Sequence, residues 1–151
     1  MTHNFHRPHR FFVWLATAVL VALQALPAVQ ADTLSARDEK AVQAVVQNQL
    51  AAFAKDDAAK AFSYATPELR KSFGSSSAFM AMVKSSYPVV YRPASVVFLK
   101  AEKAGDDVIQ RVQMLDANGE SWLAMYSLQR QKDKTWRISG CVVVENKNRT
   151  V

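Results

Sequence analysis

Between Tyr87 and Pro93 the spacing of apolar residues along this chain changes from three and four to two. A helix repeats about every 3.6 residues and a strand every two, so the change limits the fold to helices followed by strands. Ser35 predicts a helix start, with Asp38 at the capping-box spacing and Val42, Val45, Val46, Gln49 and Phe53 along one face. Asp56 or Asp57 is expected to cap a second, short helix through Ala58, Ala61, Phe62 and Ala65. Thr66-Pro67-Glu68 opens a third that ends near Phe73-Gly74, and Ser76 or Ser77 a fourth carrying Phe79, Met82 and Val83.

The prolines of Tyr87-Pro-Val-Val-Tyr-Arg-Pro93 predict an extended connection. Beyond it, alternation predicts four strands, over 95–103, 108–116, 121–130 and 136–144, joined by short polar turns. The expected class is α+β, with N-terminal helices packed on one face of a four-stranded antiparallel sheet, in a single domain over 32–151.

Turn chemistry sets the expected register. Asp116-Ala-Asn-Gly119 suits a type I turn closed by a left-handed glycine, pairing Met114 with Trp122, Val112 with Ala124 and Gln110 with Tyr126. A similar loop at 132–134 would align Leu128 with Ile138, Tyr126 with Gly140 and Ala124 with Val142. One face then holds Trp122, Tyr126, Leu128, Ile138, Val142 and Val144. The other holds Arg111, Gln113, Leu123, Met125, Arg137, Cys141 and Val143. That second face is more apolar than solvent usually meets, so a homodimer joined through Leu123, Met125, Cys141 and Val143 is expected. A slip of one residue would exchange the two faces.

The start of the chain reads as an address. Arg7 and Arg10 precede an apolar run from Phe11 to Leu26, and Val29 and Ala31 suit the positions before a cut. Residues 1–31 are therefore expected to be a secretory signal peptide cleaved before Asp32, leaving no stable membrane anchor. The run is shorter than the roughly 20 residues a spanning helix needs. The expected location is periplasmic or extracellular. Cys141 is the only cysteine, so no internal disulfide is available there, and its apolar surroundings predict a small buried side chain.

All three histidines lie in that leader. Without them, the chain from Asp32 onward cannot build a Ser-His-Asp triad, a Cys-His pair, a zinc finger or a haem with a histidine ligand. The acids from Glu102 onward fall at strand ends or in turns, so none is placed mid-strand as a pocket acid would be. The carboxylates do not converge as a hard metal site requires, and the four glycines are isolated, so neither metal nor cofactor is expected. Basic residues are spread evenly, without the stripe a nucleic-acid binder shows, and no nucleic acid is expected. An aromatic and arginine set remains: Tyr87, Tyr91, Arg92, Trp122, Tyr126 and Trp136. Such side chains line a pocket while offering one polar tip.

The segments Ala52–Phe62, Phe79–Val83, Tyr87–Arg92, Gln110–Gln113, Asp116–Gly119, Trp122–Tyr126 and Trp136–Cys141 together resemble a family of small secreted bacterial proteins, domain of unknown function 4864. Lys134-Thr135 departs from it, standing where the family more often has a glycine turn. By its order of elements that family looks like the nuclear-transport-factor-2-like (SnoaL-like, cystatin-like) cone, helices leading into a curved antiparallel sheet around a pocket. The superfamily includes ketosteroid isomerases, epoxide hydrolases, polyketide cyclases and noncatalytic binding or dimerisation modules. Its catalytic members generally carry acids or histidine in the cone, and no mid-strand candidate stands here. The resemblance thus implies an exported, noncatalytic domain binding a small apolar ligand or a partner. Trp122 and Tyr126 would line its pocket, and Tyr91 and Arg92 its rim. The alternatives are a small isomerase, lyase or hydrolase using Tyr126, and an accessory protein that binds another envelope protein through its sheet face.

Overall fold

The computed structural model describes residues 33–147, and the expected leader and its cleavage point lie outside them. Five helices come first: α1 (Ala36–Ala54), α2 (Ala58–Ser63), α3 (Pro67–Phe73), α4 (Ser76–Ser86) and α5 (Pro88–Tyr91). The strands β1 (Ser95–Phe98), β2 (Glu102–Ala104), β3 (Asp107–Leu115), β4 (Ser121–Arg130) and β5 (Trp136–Glu145) come after them. They form one antiparallel sheet ordered β1-β3-β4-β5, with β2 also paired to β3. The class is α+β, as expected, with five strands rather than four.

Local chemistry accounts for the helix starts. Ser35, Asp57, Thr66 and Ser75 each accept a hydrogen bond from the backbone N–H three residues on. The cap of α4 is thus Ser75, one residue before the expected serines. The stretch between the two prolines is not a plain extended connection. Pro88 sits in the first turn of α5, where its fixed φ and missing N–H cost nothing. Tyr87 and Arg92, each preceding a proline, leave the helical region.

The first expected strand is broken. Phe98 pairs with Val112 and Glu102 with Ile109, so three residues of the edge face two of β3. The buried side chain of Gln110 closes this gap, donating from Nε2 to the carbonyls of Leu99 and Arg111 at 2.6 and 2.9 Å.

The β3–β4 turn and register are as expected, with Gly119 at φ 78°. The β4–β5 pairing starts as expected, Leu128 opposite Ile138, and then slips by one. Ser127 pairs with Gly140, Tyr126 with Cys141 and Ala124 with Val143, leaving Ser139 as the extra residue of a bulge. The slip exchanges the two faces of the upper half of β5. Cys141 and Val143, expected outside, pack against the core, while Val142 and Val144, expected inside, are 56% and 41% exposed. The expected dimer face therefore loses Cys141 and Val143.

The core lies between the helices and the inner sheet face. Val42, Val46 and Phe53 of α1, Phe79 and Val83 of α4, and Val89 and Val90 of α5 meet Val112, Ala124, Tyr126, Leu128 and Ile138. At about 0.025 kcal/mol per Å² of apolar surface, this burial is the main stabilising contribution in a chain without a disulfide. No helix among the described residues is long and apolar enough to cross a membrane.

Candidate functional site

Two neighbouring hollows occupy the inner side of the sheet. The first, about 240 Å³, is walled by Phe53, Phe79, Val83 and Val90 on the helix side, with Leu69 and Phe73 of α3 beside them. Tyr126, Ile138, Gly140 and Cys141 form the sheet side, and Gln49, Met82 and Tyr87 complete it. Gly140 has no side chain to add to that wall. The phenylalanines are held in place by one another, Phe79 packing against Phe53, Phe62 and Phe73 with ring centroids 5.2 to 5.9 Å apart.

The polar groups of this cavity are few and neutral. Tyr126 is 1% exposed, and its hydroxyl has no hydrogen-bond partner of good geometry, the Cys141 sulfur beside it being a weak acceptor. Leaving a buried hydroxyl unpaired costs roughly 1–3 kcal/mol, so an acceptor entering the cavity would recover that loss. Burial raises the Tyr126 phenol well above its usual range and pushes the adjacent Cys141 thiol up to about 12. Both therefore stay protonated at neutral pH, and the thiol is not a nucleophile. Gln49 donates its Nε2 to the Ala61 carbonyl at 3.1 Å. Among the described residues, no acid, lysine, arginine or histidine lines the cavity.

The second hollow, about 310 Å³, lies between the α4–α5 junction and the β3–β4 turn. Ser86, Tyr87, Pro88, Val89 and Arg92 form one wall, and Asp116, Asn118, Trp122 and Val143 the other. Tyr87 belongs to both hollows. Asp116 is committed to its own turn: it accepts from the backbone N–H groups of Asn118 and Glu120 and, at 3.0 Å, from the Trp122 indole. The indole bond first, then the two backbone bonds, hold its carboxyl below the usual range.

A polar cluster stands beside this cleft. Asp56 occupies the left-handed position that ends α1, at φ 55°, in a turn where Asp57 N–H bonds the Ala52 carbonyl. Glycine is the usual residue at such a position. The Asp56 carboxylate accepts from the Tyr91 hydroxyl at 2.5 Å, Lys84 at 2.8 Å and Arg92 at 2.9 Å. Lys84 and Arg92 also lie within 5.0 Å of the Tyr91 ring centre. The Lys84 bond above all, then Tyr91, pulls the Asp56 carboxyl down to about 2.

The four expected site residues are thus divided. Tyr126 lies in the apolar cavity, Arg92 and Trp122 in the cleft, and Tyr91 in the Asp56 cluster. Trp136 is elsewhere, its indole donating to Asp38 at 3.2 Å. Sequence reasoning missed Gln49 and Cys141 as cavity residues, and it offered Asp56 only as a helix cap. The doubled aspartate was the available signal, since one residue suffices to cap α2. Among the described residues no three His, Cys, Asp or Glu side chains group as metal ligands.

A family model described as a domain of unknown function (DUF4864) matches residues 35–151. No curated protein matches the chain.

Proposed function

The chain belongs to the family of the domain of unknown function (DUF4864), and from that premise we propose that it is an exported, noncatalytic domain that binds a small, largely apolar ligand. The fold would be the nuclear-transport-factor-2-like cone, with helices closing one side of the sheet and the ligand held between the two layers. One observation carries the reading: the unpaired Tyr126 hydroxyl, buried in an apolar cavity that has no charged group among the described residues. Proton transfer at neutral pH calls for a group that titrates near that pH, and phenol and thiol are both pushed away from it. At about 240 Å³ the cavity lies just below the roughly 300–1,000 Å³ of drug-sized sites, which points to a small ligand.

Native mass spectrometry of the mature protein, purified from its own envelope, tests the reading. A co-purified small molecule that Tyr126→Phe weakens or releases is the expected result. Turnover of a compound by the wild type, lost by roughly 10²–10⁴-fold in Tyr126→Phe, would overturn it in favour of an acid catalyst.

A second reading rests on the outer sheet face. There Val97 (55% exposed), Leu115, Val142 and Val144 stand with the half-buried Leu123 and Met125. Val97, Gln113, Leu123 and Val144 form one cross-strand row. We propose this apolar face as the surface for a second copy or another envelope protein. Leu123→Asp and Val144→Asp should abolish association while the fold survives. A wild-type monomer that captures no envelope partner would overturn this reading.

A further inference from the structure

The cavity and the cleft are neighbours that share Tyr87. Cys141 lines the first and Val143 the second, successive inward residues of β5, so the two hollows are offset by roughly 6–7 Å along the strand. Their polar groups differ in kind. The cavity offers a single neutral donor without a partner, the Tyr126 hydroxyl. The cleft offers a cation, Arg92, which among the described residues is the only basic one lining either hollow.

A guanidinium has five N–H donors, and Arg92 gives one nitrogen, Nη2, to Asp56. Asp116 on the opposite wall keeps its negative charge, but both of its oxygens are taken by hydrogen bonds within the turn and from the Trp122 indole. Between Arg92 and Tyr126 the walls are apolar: Val89, Trp122 and Val143, then Val90 and Ile138.

Resting on the binding reading of the same cavity, we propose that the ligand is an apolar carboxylic acid with a second oxygen at its far end, its carboxylate on Arg92 and its distal acceptor on the Tyr126 hydroxyl. An oxygen at both ends satisfies both donors, whereas a plain fatty acid leaves Tyr126 unpaired and a neutral ketone leaves Arg92 unused. The apolar middle selects against short polar acids.

Calorimetric titration with straight-chain oxo acids carrying the ketone next to the terminal methyl, from butanoic to dodecanoic length, tests both ends. Methyl ketones without the acid and carboxylic acids without the ketone serve as controls. Affinity should peak at one chain length and fall about tenfold when either oxygen function is removed, the lower end for a bond to the charged guanidinium and the upper end for the neutral bond to the phenol. Arg92→Gln should remove the preference for the acid, and Tyr126→Phe the preference for the ketone. Ketones that bind as tightly as the oxo acids, with Arg92→Gln silent and Tyr126→Phe weakening, would overturn the acid end and leave the cavity reading standing. Binding that is unaffected by Tyr126→Phe, or that no probe shows at any length, would overturn both.

Discussion

Tyr126 and Cys141 stand directly opposite each other on β4 and β5, a pairing that exists because Ser139 is squeezed out of the ladder. Ser139 marks the place by donating its Oγ to the Ser127 carbonyl at 3.1 Å. The bulge brings phenol and thiol to the same cavity wall and turns Val142 outward. Reactivity toward thiol reagents reports this directly. Native Cys141 should be alkylated slowly at pH 8, its thiol being half-buried and held at about 12. Cysteine placed by Val142→Cys, in a Cys141→Ala background, should react at once. Equal protection at both positions would contradict the register.

The unpaired phenol makes a prediction about stability as well as binding. Tyr126→Phe removes a buried hydroxyl that has no partner, so the unliganded protein should gain about 1 kcal/mol. Urea denaturation measures this as a higher midpoint at constant slope. A loss of similar size would mean that the hydroxyl is bonded after all.

Acid should loosen the Asp56 cluster. The Asp56 carboxyl lies at about 2 in the folded protein against an ordinary 3.8. A carboxyl with a lowered folded value stabilises the fold above the ordinary value, and that contribution fades as pH falls from about 4 towards 2. Asn tolerates the left-handed backbone at this position, so Asp56→Asn isolates the charge. Its stability should fall less steeply over that interval than the wild type's. Asp38, Asp116 and Asp133, also lowered, retain the remaining acid sensitivity. Identical curves for variant and wild type would remove Asp56 from the account.

Lys134 adopts φ 70° at the end of the last hairpin turn, closing it with a 2.9 Å bond to the Gln131 carbonyl. Glycine has no steric penalty there, although it brings extra freedom to the unfolded chain. Lys134→Gly should therefore stabilise the protein by about 0.5 kcal/mol, and Lys134→Ala should not. Thermal melts of the three proteins, compared side by side, decide the point.

Features set within a few residues were legible in the sequence. The caps at Ser35 and Thr66, the change of period after Tyr87 and the Asp116–Gly119 turn with its register all arise from local chemistry, which acts before any distant contact forms. The helical turn at Pro88–Tyr91 is also local, but two prolines so close together read as breakers, although one of them opens a helix.

What tertiary structure decided has a different origin. Alternation along β5 is equally strong in either register, and nothing near Ser139 marks it as the residue to be expelled. The choice depends on the whole layer. With the bulge, Cys141 and Val143 join Tyr126 and Ala124 under the helices while Trp136 and Ile138 remain buried below it. The same holds for Asp56, whose partners Lys84, Tyr91 and Arg92 lie about thirty residues away and meet it only once α1, α4 and α5 have packed. Sequence by itself determined most of the elements and their order, because those depend on neighbours along the chain. Which side of β5 faces the core, and which residues share a cavity, depended on contacts that exist only after the layers close.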